Sequence, residues 1–423
     1  MRTAHFAADE VGARDLRPTR DPQAGPATRP AGASRVWVLA CHREGDNAQM
    51  IGLAEALGWP FEVKRIIHRQ RVSPRAMLLP ATLASVDARR TGGLEPPWPD
   101  LVIFAYHRNE NVARWIREQS GGRTRLVLVG RPWSAGDDLD LIVTTPQLQL
   151  AERPNILHNA LPLHRITPAR LEAAAAEWGP RLRHLPRPFT AVLVGGSSGP
   201  YAFDRTAAER LGHEAGAFGR GQGGGSLLVT TSARTSRAAA EAVLGGIAGP
   251  AHCHRWSPDQ TENPYLGFLA LADRIIVTGD SISMIAEACA TRKPVRLFAF
   301  GGGPARMRPE PRRAGRDLRS LRAREFRPRA LLYAWYMRLP RWRINRTRDL
   351  RLVHRTLVAS GRVAWLGEAA APPTLGPVPG DMARTVRRVS ALVASAGSTM
   401  PSRSGGRGGR RAPGRGSAET VHS

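Results

Sequence analysis

The chain has 423 residues, of which 62 are Lys or Arg and 35 are Asp or Glu, for a formal net charge of +27. That length suits two domains with extensions, and a hydrophobic content of 42% excludes a wholly disordered chain. No apolar run approaches the ~18 residues of a membrane-spanning helix, which excludes a helical integral membrane protein. The cations are almost all arginine, since Lys64 and Lys293 are the only lysines. Together with 43 Gly and 34 Pro, this matches the codon usage of a GC-rich genome. The charge is also uneven: residues 301–423 carry +19 and residues 1–300 carry +8. Such an asymmetry points to an anionic partner, lipid or nucleic acid, for the C-terminal region. The scattered Cys41, Cys253 and Cys289 make neither a disulfide framework nor a zinc box and fit a reducing compartment. The N-terminus lacks the apolar core of a secretory signal, so a cytoplasmic protein is expected.

Residues 1–33, rich in Ala, Pro, Arg and Gly, read as a disordered arm. Order begins with VWVLA (36–40), a β-type apolar run, and the polar turn CHREGDN (41–47) follows. AQMIGLAEALG (48–58) has helical spacing and ends on Gly58, and FEVKRII (61–67) alternates like a strand. The pattern repeats with strands over 100–106, 125–130 and 140–145 and a helix over 109–122. The spacing predicts a further helix over 168–182, and 184–188 reads as a linker. A second series has strands over 189–196, 226–232, 251–256, 274–280 and 294–300. Its helices fall over 203–218, 235–247, 263–273 and 281–292. Two consecutive doubly wound α/β domains are therefore expected, 34–183 and 184–302, facing one another across a cleft. Beyond them lie an Arg-rich, aromatic insertion (303–350), helices packing back on the body (351–395) and a disordered Ser/Gly/Arg tail (396–423).

The clearest chemical signal is RIIVTGDSISMIAEACATRKPV (274–295). A buried strand ends in Gly279-Asp280-Ser281, and a helix starts near Ile282 with Ser281 and Ser283 at its mouth. Free N–H groups and partial positive charge at a helix N-terminus suit a diphosphate. Glu287 lies one to two turns on, where a carboxylate can accept from a ribose diol. The bland reading is an N-capped helix with a surface glutamate. Gly195 and Gly196 follow a strand directly and permit close backbone approach to a ligand. They do not form G-x-G-x-x-G, which disfavours a dinucleotide dehydrogenase. Arg234, at a strand end, can pair with a phosphate, though it is one of many arginines. In the first domain, His42 and Asp46 are general-base candidates and Gln49 can position a hydroxyl; the alternative for Asp46 is helix capping. His107 is a weaker base candidate. His252-Cys253-His254 lacks further ligands at metal spacing. Within 333–342, aromatics alternate with arginine, and Trp335, Tyr336 and Trp342 with Arg338, Arg341 and Arg343 suit an anionic membrane surface. No sequence-specific nucleic-acid motif is present.

The run NPYLGFLALADRIIVTGDSISMIAEACATRKPV (263–295) resembles the signature of the mitochondrial-fission ELM family. Supporting matches are GDNAQMIGLAEALG (45–58), PDLVIFAYHR (99–108), NILHNALPLHRITPARL (155–171), VLVGGSS (192–198) and SLLVTTSART (226–235). The resemblance implies a GT-B-like fold of two Rossmann-like domains, N-terminal for acceptor and C-terminal for donor. It also implies a metal-independent, cofactor-free glycosyltransferase using a nucleotide-diphosphate sugar as co-substrate. The implied acceptor is a cell-envelope glycolipid or lipopolysaccharide core. The implied donor residues are Gly195, Gly196, Ser197, Arg234, Thr278, Asp280, Ser281, Ser283, Met284 and Glu287, with Glu287 on the ribose. Gly45, Asn47, Gln49 and His107 would face the acceptor, with Asp46 or His42 as base in an inverting reaction. A retaining reaction would need no such base. The basic-aromatic segment would place this cytoplasmic protein peripherally on the inner face of the cytoplasmic membrane. The alternative is a non-catalytic scaffold that recruits partners to a membrane, as in the eukaryotic branch. Arg292 before Lys293-Pro294, and Gln147 after Pro146, depart from the family pattern.

Overall fold

Runs of Val, Ile and Leu that end on Gly, Asn or Pro turns make short strands buried on both faces, and these assemble into parallel sheets. In a computed structural model of the protein, the described residues are 34–69, 81–199, 201–221, 223–301, 306–308, 348–368 and 380–397. The sequence-predicted arm at 1–33, most of the stretch 303–350 with its aromatic segment, and the tail beyond 397 lie outside them.

The first sheet contains β1 (Val36–Ala40), β2 (Phe61–Arg65), β3 (Leu101–Phe104), β4 (Arg125–Val129), β5 (Leu141–Thr144) and β6 (Ile156–His158). Its order is β2-β1-β3-β4-β5-β6 and every pairing is parallel. Helices α1 (Glu44–Leu57) and α2 (His107–Gln119) pack on opposite faces. Gly58 ends α1 at φ 68°, a conformation a Cβ disfavours, and its N–H donates to the Glu55 carbonyl. The second sheet contains β7 (Phe189–Val194), β8 (Ser226–Thr231), β9 (Ala251–His254), β10 (Arg274–Thr278), β11 (Val295–Phe298) and β12 (Ala364–Trp365). Its order, β12-β11-β10-β7-β8-β9, is the 3-2-1-4-5-6 arrangement of a Rossmann sheet, again all parallel. Around it stand α3 (Pro168–Leu182), α4 (Arg205–Gly221), α5 (Arg237–Gly245), α6 (Tyr265–Leu271), α7 (Ile282–Ala290) and α8 (Leu350–Ala359).

The chain crosses between the lobes more than once. Helix α3 follows the first sheet but packs on α6, with the Trp178 ring edge-on to Phe268 at 6.4 Å. Residues 350–359 do form a helix as the sequence suggests, but the following turn contributes β12, a two-residue edge strand too short for periodicity to reveal. The last helix, α9 (Asp381–Gly397), returns to the first lobe and buries Val389 against α1. It is pinned there by the Asp381 carboxylate accepting from Leu161 N (2.9 Å) and by Asn159 Nδ2 donating to Thr385 Oγ1 (3.0 Å). No helix among the described residues is long and apolar enough to cross a membrane.

Helices α4 and α5 meet at glycines. A Cβ on Gly212 would lie 2.3 Å from the Val243 carbonyl oxygen, whereas one on Gly216, a turn later, would meet nothing closer than 3.5 Å. Gly212→Ala should therefore cost about 1–3 kcal/mol by forcing the helices apart. Gly216→Ala should add about 0.5–1 kcal/mol from helix propensity. Urea unfolding of the two variants beside the parent checks the opposite signs.

Candidate functional site

Each sheet has a point where the strand order reverses, and there the loops at the carboxyl ends of adjacent strands splay apart to leave a crevice. In the first lobe that point lies between β1 and β3, and in the second between β7 and β10. The two crevices meet. A Cβ built on Gly45, in the first turn of α1, would stand 3.4 Å from Ser283 Oγ in the first turn of α7.

On the second-lobe side, Asp280 is 1% exposed and organises three loops. Its Oδ2 accepts from Gly196 N (3.0 Å) after β7 and from Arg234 Nη1 (2.6 Å) after β8. Thr278 Oγ1 accepts from Gly195 N (2.8 Å), and Ser232 Oγ donates to the Gly195 carbonyl (2.9 Å) with Thr235 beside it. The two glycines, expected to admit a ligand, are required by the protein's own close packing. A Cβ at Gly195 would lie 2.5 Å from the Asp280 carboxylate, and one at Gly196 would lie 2.2 Å from the Arg234 carbonyl. Thr278 and Asp280 are likewise buried in this scaffold rather than turned outward to a donor. Ser197 Oγ accepts from Phe203 N (3.0 Å). Arg234 keeps the side of its guanidinium not held by Asp280 accessible, with 40% of its side chain exposed.

Helix α7 begins at Ile282 as predicted, and Ser281, at its N-cap, makes no side-chain capping bond. Ser283, Met284 and Glu287 share one half-buried face at i, i+1 and i+4. Tyr265, the first residue of α6, donates its hydroxyl to Glu287 Oε2. Burial and the Glu287 charge push that phenol well above its ordinary pKa, so it remains a donor. Behind the loop, His354 of α8 donates from Nε2 to the Gly279 carbonyl (2.7 Å).

On the first-lobe side, α1 starts at Glu44, earlier than periodicity suggests, with Arg43 in the capping position. Asp46 is therefore inside the first turn and is not the cap. Its neighbours are Arg43 (3.9 Å), His42 and Arg348. Enclosure by protein raises its pKa, with Arg43, Arg348 and His42 opposing in that order. Asn47 does not face the cleft. It is 1% exposed and clamps the loop by accepting from Cys41 N (2.9 Å) and donating to the Cys41 carbonyl (2.8 Å). Gln49 turns back to the Gly45 carbonyl (3.2 Å). His42 is exposed and edge-on to Tyr106 at 4.9 Å. His107 opens α2 between Tyr106 (4.4 Å) and Trp133 (5.1 Å). Burial, then Arg108 and Arg43, hold its imidazole down to about 4.

Arg348 completes the cleft and carries no sequence motif. The next residue donates its backbone N–H to the Gln147 carbonyl of the first lobe (2.9 Å) while α8 packs in the second-lobe core. Arg348 is solvent-accessible yet enclosed from both sides, facing Asp46 and Arg43 on one and Asp280 and Arg234 on the other. Enclosure and the like charges of Arg234 and Arg43 lower its pKa, and it makes no ion pair within 4 Å among the described residues. Among the described residues no group of three His, Cys, Asp or Glu is placed to hold a metal ion. The site combines an uncapped helix N-terminus, two accessible arginines, a carboxylate fixed by a phenol and, opposite, a carboxylate of raised basicity. Such a set can hold a diphosphate and a diol and can accept a proton.

Two Rossmann-type sheets joined switch point to switch point define a two-lobed, doubly wound α/β protein. A family profile described as "Mitochondrial fission ELM1" matches residues 44–364, and the chain belongs to that family. It is 32% identical over 133 residues to the mitochondrial fission protein ELM1 of Arabidopsis thaliana, covering 31% of this chain and 30% of that protein. It is 31% identical over 137 residues to an uncharacterized protein of Rickettsia prowazekii, covering 32% of this chain and 38% of that one. The chain spans about a third of the length of the curated relatives it matches. A crystal structure of a glycosyltransferase from Rickettsia africae aligns over 87% of this chain and 100% of its own length, at 10% identity and a TM-score of 0.41.

Burial holds the His354 ring down to about 4 against its hydrogen bond to Gly279, so it is neutral in the folded protein near pH 7. The unfolded chain binds the proton first, near pH 6.5, so this contribution is intact above that value and is lost as pH falls toward 4. His354→Gln should be less stable than the parent at pH 7. The gap should close by at most about 1.4 kcal/mol per pH unit between pH 6.5 and 4. Urea unfolding at several pH values in this window checks it.

Proposed function

We propose that the protein is a glycosyltransferase that moves a sugar from a nucleotide-diphosphate donor to a hydroxyl of a cell-envelope glycolipid or oligosaccharide acceptor. The observation that carries this reading is the apposition of the two switch points, which brings the first turn of α1, where Gly45 and Asp46 lie, against the first turn of α7 at Ser283. Donor diphosphate would lie on the first-turn amides of α7, with Arg234 and Arg348 meeting the charge that grows on it as the glycosidic bond breaks. Glu287, oriented by Tyr265, would accept from the ribose diol. Asp46 would take the proton of the acceptor hydroxyl as its oxygen attacks the anomeric carbon, and the nucleotide diphosphate departs with the bonding electrons. His42, exposed beside Tyr106, is the second candidate base. Amides, arginines and carboxylates suffice for this chemistry, so no cofactor enters the reading. The arginine-aromatic segment 330–344 would hold the enzyme on an anionic membrane surface, which suits a cytoplasmic enzyme with a lipid-linked acceptor.

A second reading, a scaffold without turnover, is favoured by the name of the Arabidopsis relative. Titration calorimetry with a panel of nucleotide-diphosphate sugars, followed by a transfer assay on envelope lipid extracts, separates the two. The parent should bind one donor class, and Glu287→Ala should weaken it at least tenfold. Asp46→Asn should bind donor normally but transfer about 10²- to 10⁴-fold more slowly. Donor binding unaffected by Glu287→Ala contradicts the site, and binding without turnover favours the scaffold.

A further inference from the structure

Trp133 is the large hydrophobic residue that stands exposed among the described residues, at 42%. An exposed indole is ordinary when it sits on a loose loop. This one is held from beneath. Its backbone N–H donates to Glu110 Oε2 (2.6 Å), and Ser134 N donates to Glu110 Oε1 (3.1 Å). Glu110 is fully buried and paired with Arg114 (2.9 Å), which also reaches Ser134 Oγ (2.7 Å) and Asp138 (2.5 Å). A buried carboxylate committed to two amides of one surface loop fixes the backbone that presents the indole.

The ring does not stand alone. It opens a file that runs from Trp133 to His107 (5.1 Å, planes 34° apart), then to Tyr106 (4.4 Å) and to His42 (4.9 Å), beside Asp46. Tyr106 adopts φ 70°, ψ 130°, a backbone conformation an L side chain rarely takes. Such strain persists where the surrounding structure enforces it, and here it sets a phenol between three histidines. Burial keeps the His107 imidazole neutral near pH 7, so it offers one donor and one acceptor as well as a face. Arg43 caps the Tyr106 ring at 5.5 Å. A rigid apolar face flanked by neutral and cationic hydrogen-bonding groups is poorly matched to an acyl chain. It matches a pyranose, whose C–H face is apolar and whose rim is hydroxyl.

We propose that Trp133, His107 and Tyr106 form a stacking platform for sugar rings of the acceptor, leading its reactive hydroxyl toward Asp46. This rests on the transfer reading and adds the acceptor's chemical class: a glycan of two or more pyranose units rather than a bare lipid phosphate. The platform lies on loops at the carboxyl ends of β3 and β4, away from the donor residues on α7.

The test uses the full chain on a printed array of short neutral and acidic oligosaccharides, with anionic vesicles and calorimetry of nucleotide sugars run in parallel. The parent should retain a defined subset of glycans. Trp133→Ala should lose at least tenfold of that signal and Trp133→Phe should keep most of it, while both bind nucleotide sugar and vesicles like the parent. No retained glycan, an array signal unchanged in Trp133→Ala, or a loss confined to vesicles would each overturn the platform. If glycan binding depends on Trp133 but no nucleotide sugar binds, the platform stands and the transfer reading falls.

Discussion

Asp280 is the constraint on which the second lobe's active face depends. Its carboxylate is buried, and one oxygen serves both the Gly196 amide and the Arg234 guanidinium. Three loops that leave different strands are thereby tied to one atom. A buried charge is tolerable only when compensated, and breaking one partner of such a pair costs far more than the pair contributes. Hence the loops after β7 and β8 cannot move independently of the turn that begins α7. Hence, too, residues 195 and 196 must be glycine, because the carboxylate and the Arg234 backbone occupy the space a side chain would need. The other oxygen, Oδ1, is buried without a hydrogen-bond partner among the described residues.

The same geometry sets the electrostatics of the cleft. Asp280 compensates Arg234, so the cation added by Arg348 is the less compensated one, and it stands between the lobes. Its position follows from α8, which is rooted in the second-lobe core and whose preceding residue is bonded to the first lobe. A bound anion would therefore be contacted by a residue that both lobes position. Asp46 faces Arg348 and Arg43 but is enclosed enough for its basicity to rise. Carboxylates at the two ends of one cleft thus stand in different surroundings: Asp280 is paired with Arg234, and Asp46 is enclosed so that its basicity rises.

Much of this architecture can be read in the residues. The buried strands, the glycine turns after β7 and β10 and the start of α7 at Ile282 follow from apolar runs and their punctuation. Strands β6 and β12 escape notice because three and two residues cannot display a period. The early start of α1 escapes notice because Gly45 and Asp46 break the apolar spacing, which leaves capping open as the alternative for Asp46, although Arg43 takes that position. Candidate site residues are legible as types at strand ends, but their partners are not. Arg234 meets Asp280 across 46 residues, Tyr265 meets Glu287 across 22, and His354 meets Gly279 across 75. Bonds to Cys41 and to Gly195 likewise make braces of Asn47 and Thr278. The Asp349–Gln147 bond and the packing of α8 bring in Arg348, a residue indistinguishable by sequence from dozens of other arginines. TTSARTS (230–236) did carry a usable clue, since a run of hydroxyls after a strand is what straps a glycine turn.

The central claim is that a nucleotide diphosphate binds between the two switch points, on α7. A crystal structure of the protein soaked with the nucleoside diphosphates of the common sugar donors tests it most directly. The diphosphate should lie on the amides of Ser283 and Met284 with Arg234 and Arg348 on its oxygens, and the ribose diol should reach Glu287. A nucleotide found outside this cleft, or bound in it with its ribose away from Glu287 and the diphosphate away from α7, would contradict the account.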